Sequence, residues 1–143
     1  MTKQRDVGLA LKALVQAALP LAAVKGFDGD TSKPALIGPN GTVIGHPGEP
    51  GDPEVDLSPP TYNYRHRFYL EVAADNGDPG APLDAMLVAI GAAIRADRTL
   101  GGLCMYLEAV APDRNDRTTD QVATTNWAVL PIDAHYSTED PLA

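Results

Sequence analysis

The chain has 143 residues, 44% of them hydrophobic and 21% charged. This suits one compact domain with its own core and argues against intrinsic disorder or two ordinary domains. A formal net charge of −8 argues against a basic patch that grips nucleic-acid phosphates, and a single cysteine, Cys104, excludes an intrachain disulfide or a cysteine-built zinc site.

The first predicted element is a helix over residues 5–19. Val7, Leu11, Leu14, Val15 and Ala18 recur at spacings of three and four, and Pro20 stops it. The apolar run inside it, 9–19, is too short to span a bilayer and is interrupted by Lys12 and Gln16. No convincing signal-peptide cleavage pattern accompanies it, so synthesis in the cytoplasm without a membrane partner is expected. A short extended piece (21–25) and a turn-rich stretch (26–32) follow. Residues 38–60 then hold five glycines and six prolines, with Glu49, Asp52, Glu54 and Asp56 among them. Glycine loses much backbone entropy on ordering and proline cannot donate to a sheet ladder. A long loop is therefore expected, with at most a brief strand over 42–44. Such loops often order against a partner.

The clearest strand spans 62–73, where Tyr62, Tyr64, His66, Phe68, Leu70 and Val72 alternate with Asn63, Arg65, Arg67, Tyr69 and Glu71. After a turn cluster at 75–80, a helix is predicted over 82–96. Pro82 and Asp84 suit its first turn, and Leu83, Met86, Leu87, Ile90 and Ile94 form its apolar stripe. A charge buried in that stripe without a partner is costly, so Leu87→Asp is expected to prevent folding. Gly101 and Gly102 suit a helix C-cap and turn. A strand over 103–111, a polar hairpin connection over 112–121 and a last strand over 125–136 complete the order. Pro131 requires an edge position or a bulge in that last strand. The acidic tail, 137–143, is expected to fray. The expected fold is a single α+β domain over 1–143: a small antiparallel sheet, two helices packed on one face, and the long Gly/Pro-rich loop.

No phosphate-binding, dinucleotide, nucleophile-elbow or HExxH motif occurs. His46, His66 and His135 lack the spacing of a zinc site. A metal-assisted hydrolase built on them, the enzymatic alternative, would require the fold to bring them together. His66 lies on the apolar side of its strand, where a hydrogen-bonded core histidine is the ordinary explanation. Cys104 sits in an apolar run and suits a buried structural thiol. No catalytic, cofactor-binding or metal-binding residue is assigned. Arg65, Arg67 and Glu71 make a row on the polar strand face. With Glu49, Asp52 and Glu54 of the loop they form the candidate interface, arginines meeting acids of a neighbouring copy. A solvated face crossed by salt bridges within the chain is the plainer reading.

The run Tyr64-Arg65-His66-Arg67-Phe68-Tyr69-Leu70-Glu71-Val72, the helix beginning near Leu83-Asp84, the segment Asp97-Arg98-Thr99-Leu100-Gly101-Gly102-Leu103 and a closing strand through Trp127 and Tyr136 resemble the tail terminator and tail completion proteins of long-tailed phages, prophages and gene transfer agents. The resemblance covers roughly 62–136, and 97–103 is its most telling piece. It implies a small α/β virion structural protein, located in the tail or neck. Such a subunit forms a hexameric ring at the head-proximal end of the tail tube, ends tube polymerisation and presents a surface for head-tail joining. The implied partners are further copies of the chain, the tail tube protein and the connector (stopper) protein. DNA passes through the ring without specific binding, which an acidic wall favours. No catalysis and no cofactor are implied. Another neck component, a head completion or connector protein, is the neighbouring alternative. The Gly/Pro-rich segment is long for this pattern.

Overall fold

A computed structural model describes residues 2–27, 40–74, 81–117 and 125–143. Among them, two helices and seven strands form an α+β fold with one sheet: α1 (Lys3–Ala18), β1 (Ala23–Gly26), β2 (Thr42–Glu49), β3 (Glu54–Leu57), β4 (Pro60–Ala74), α2 (Ala81–Ala96), β5 (Tyr106–Ala109), β6 (Asp113–Arg117) and β7 (Thr125–Thr138). The predicted turn at 75–80, most of the stretch at 26–32, the start of the Gly/Pro-rich segment and the end of the 112–121 connection lie outside the described residues.

Thr2 caps α1, its hydroxyl accepting from the Arg5 N–H at 3.3 Å. At the other end the Leu19 N–H closes on the Val15 carbonyl just before Pro20. Val7, Leu11 and Val15 of α1, together with Leu83, Met86, Ile90 and Ile94 of α2, are buried in one cluster with Val43, Phe68, Leu70, Val72, Ala128, Leu130, Ile132 and Ala134 of the sheet. The even-numbered residues of β4 and β7 thus face the helices, and both helices cover the same side. Each large apolar side chain in that layer contributes roughly 1.5–3 kcal/mol by leaving water. Leu87 is only partly buried, at the rim of the stripe rather than its centre.

Strands β4 and β7 form the spine, paired antiparallel from Tyr62–Thr138 to Ala74–Asn126. The segment expected as a loop over 38–60 supplies the other neighbour of β4. Strand β2 pairs with it from Thr42–Ala73 to Glu49–Arg67, and β3 continues from Glu54–Asn63 to Leu57–Pro60. The glycines and prolines are accommodated by irregular register. Between His46–Tyr69 and Glu49–Arg67 two residues face one, and between Glu49–Arg67 and Glu54–Asn63 four face three. A bulge releases its residues from the ladder, which is where a strand tolerates proline. Gly48 takes the positive φ of 59° that the first bulge needs, and the Arg67 carbonyl oxygen lies where a Cβ would have to stand.

Strands β5 and β6 flank β7 in the same broken fashion. Three residues, 110–112, face Leu130 and Pro131 between the pairs Ala109–Ile132 and Asp113–Val129. Strand β7 is therefore central, not an edge, and the bulge alternative accounts for Pro131. The Pro131 carbonyl accepts from the Val110 N–H. In an extended strand the nitrogen of a residue points the same way as its carbonyl, so the missing donor faces the bulge and not β4.

Two further expectations change. The sheet is mixed, because β1 runs parallel to β2. The 137–143 tail is tied down in place of fraying: Ser137 and Thr138 extend the β7 ladder, and the Ala143 carbonyl accepts from the Lys3 N–H at the start of α1. Gly101 and Gly102 take positive φ after α2, with Gly101 N–H on the Asp97 carboxylate. Cys104 is buried beside them, its thiol pushed up to about 11 chiefly by burial.

Candidate functional site

The odd-numbered residues of β4 and β7 point to the side away from α1 and α2. Antiparallel pairing sets Arg67 directly opposite Asp133 and Arg65 opposite His135. Asp133 is fully buried, and both arginines close over it. Arg67 Nε donates to Oδ1 at 2.8 Å and Nη2 to Oδ2 at 3.1 Å, while Arg65 donates from Nε and Nη2 to Oδ2 at 3.2 and 2.9 Å. Burial alone would raise the Asp133 carboxyl; the hydrogen bonds and charges of Arg67 and Arg65 outweigh it and hold the group below its ordinary value. The Arg67 guanidinium is raised in turn, first by its hydrogen bond to Asp133. The arginines keep 63% and 40% of their side-chain surface in solvent, so two cations share one buried anion on this face.

Of the other predicted interface residues, Glu71 meets His46, with Nε2 and Oε1 2.6 Å apart. Glu49 is exposed and pairs in register with Arg67. Asp52 and Glu54 line an open groove at the foot of the face with Arg65, Tyr64, Met105 and His135. The fold thus gathers Arg65, Asp52 and Glu54 at one end, sets Glu49 beside Arg67 and leaves Glu71 higher on the sheet. Asp133, the residue on which the cluster turns, is absent from the sequence-based set. Its signal was the period of two in the last strand, which puts Trp127, Val129, Pro131, Asp133 and His135 on one side.

The histidines do not converge. His66 is buried on the helix side; its Nε2 donates to the Pro47 carbonyl, and its Nδ1 accepts from the Tyr136 hydroxyl at 2.9 Å. The ring stacks on Phe68 with centroids 3.9 Å apart. His66 thereby satisfies a carbonyl in the bulged β2 and ties that strand to β7. His46 and His135 lie on the other side, on β2 and β7, with β4 between them. His135 stacks on Tyr106, and its Nε2 has no hydrogen-bond partner among the described residues, with Glu108 3.9 Å away. Among the described residues no three His, Cys, Asp or Glu side chains form a metal-binding group, and no helix is long and apolar enough to cross a membrane.

Burial lowers the His66 imidazole below its ordinary 6.5, against the raising effect of the Pro47 carbonyl. The unfolded chain therefore takes up this proton first, and stability is lost as pH falls from about 6.5 toward the lowered folded value. The urea midpoint is expected to drop between about pH 7.5 and pH 5, and His66→Gln, which can keep both hydrogen bonds, is expected to flatten that drop. An unchanged pH dependence in the variant would show that His66 does not titrate with unfolding. Asp133 acts only in a more acidic window, below its ordinary 3.8.

No family model matches the chain, and no curated protein matches it.

Proposed function

We propose that this chain is a structural subunit of a phage or phage-like tail, of the tail terminator kind. Copies form a ring at the head-proximal end of the tail tube, end its polymerisation and offer a surface to the connector protein. One observation carries this reading: among the described residues the sheet is covered by helices on one side only. Both helices close one face, while the other bears a row of half-exposed arginines locked on a buried carboxylate. A rigid charged face of that kind suits contact with copies and neighbours, where arginine is favoured. The segment 97–103, on which the resemblance rests most, is a compact joint: the Leu107 and Cys104 N–H groups donate to the Arg98 and Thr99 carbonyls, and the Arg98 guanidinium donates to the Leu107 carbonyl at 3.0 Å. It fixes the end of α2 against β5. The excess of acids, 19 against 11 bases, favours a channel wall that does not hold DNA.

Assembly of the tail tube protein with and without this chain tests the reading. The expected result is tubes of bounded length by electron microscopy, with the chain at one end only. Tubes that grow to the same unbounded lengths in its presence would overturn it. Binding to tail-less heads, and not to tubes, would move the chain to the head completion role.

A further inference from the structure

Exposed apolar side chains mark the two opposite edges of the sheet. At one edge, β3 and the start of β4 form an arm in which every β3 side chain is exposed, Val55 by 44% and Leu57 by 81%. The arm lies on the β2 side of β4, because Tyr62 pairs with Val55 on one side and Thr138 of β7 on the other. Beyond β7, at the far edge, a groove runs between α2 and the β5–β6 bulge. Leu87, Val88, Gly91 and Pro112 give it an apolar floor, with Asp84 and Arg95 also lining it. Val88 is 67% exposed. An exposed strand tipped with leucine and an open apolar groove are both surfaces that a lone subunit gains nothing by keeping.

Charge favours joining them. Glu54 and Asp56 alternate with Val55 and Leu57, so the arm has an acidic side and an apolar side. Arg95, in the last turn of α2, lines the groove and is exposed; Arg98, two residues beyond the helix, is exposed as well, with one guanidinium nitrogen donating to the Leu107 carbonyl.

We propose that the β3 arm of one copy seats in the α2 groove of a second copy, Val55 and Leu57 against Leu87 and Val88, with Glu54 and Asp56 toward Arg95 and Arg98. The arm and groove occupy opposite edges, so the contact is heterologous and repeats head to tail, as a ring requires. It rests on the ring reading above and names the surfaces that reading leaves open.

Leu57→Asp spoils the arm and Val88→Asp spoils the groove, and both positions are exposed enough to leave the fold intact, which circular dichroism checks. By light scattering after gel filtration of the full chain, the wild type is expected to be oligomeric and each variant monomeric. An equal mixture of the two variants is expected to form a complex of two copies and nothing larger, since one sound arm and one sound groove remain. Leu142→Asp, at an 86% exposed position elsewhere, is expected to keep the wild-type mass. Variants that keep the wild-type mass, or a mixture that stays monomeric, would overturn the arm-and-groove contact while leaving the ring reading standing. A wild-type chain that is monomeric both alone and with tail tube protein would overturn the two together.

Discussion

Ile90→Asp is expected to abolish folding, whereas Leu87→Asp is expected to leave a folded protein weakened by about 1–2 kcal/mol. Both residues belong to the apolar stripe of α2, and the difference lies in what surrounds them. Ile90 is 1% exposed in the cluster that joins both helices to the sheet. Replacing it removes the three apolar carbons beyond Cβ from a packed site, worth about 2–5 kcal/mol, and leaves a polar group there without a partner, worth about 2 kcal/mol or more. A domain holds about 5–15 kcal/mol in all, so a loss on the order of 4–7 kcal/mol or more is enough to unfold one of ordinary, marginal stability. Leu87 instead lines the open groove together with Arg95, where a carboxylate keeps its water. Circular dichroism and urea titration distinguish the two outcomes. A cooperative transition in Ile90→Asp at the wild-type midpoint would mean that α2 does not pack by this face.

The stripe was legible in the sequence because helical spacing says which residues share a side; it does not say which of them sits at the middle of the contact. Alternation in 62–73 revealed β4 for the same reason, and with it the polar row of Arg65 and Arg67. The neighbours of β4 were harder to see. In 42–57 the residues that usually end strands are present, and only the pairing partner shows that they fall at bulges: Pro47 and Gly48 where two residues oppose one, Pro50 and Pro53 where four oppose three. A strand as long as β4 needs hydrogen-bonding partners along both sides, and this need, not local propensity, recruits the segment. His66 was placed correctly on the apolar side, but its work of capping the Pro47 carbonyl follows from the bulge and was invisible without it. Asp133 was hidden because β4 and β7 are more than fifty residues apart in sequence, and only their register makes it the counterpart of Arg67.

Replacing Arg65 and Arg67 together by methionine is expected to be far more damaging than replacing Asp133 by leucine. Methionine keeps much of the length of the arginine stem, so the cover over Asp133 stays while its counter-charges go. A buried carboxylate stripped of its partners costs about 3 kcal/mol or more. In the reverse experiment the arginines, 63% and 40% exposed, turn to water and leave no orphaned charge behind. The triple variant, with Asp133→Leu added, is accordingly expected to recover most of the stability that the methionine pair loses. The dependence on pH should also change sign. In the wild type Asp133 lies below its ordinary value of 3.8, so its contribution is present at neutral pH and fades as pH falls through the folded value. Without the arginines only burial acts on it, the carboxyl rises above that value, and the folded state gains stability as pH falls toward it. Urea midpoints of the wild type and the three variants, taken at neutral and acidic pH, measure both effects. A methionine pair as stable as the wild type at neutral pH would show that the carboxylate is hydrated in solution, and the arginines would then be free to serve other contacts.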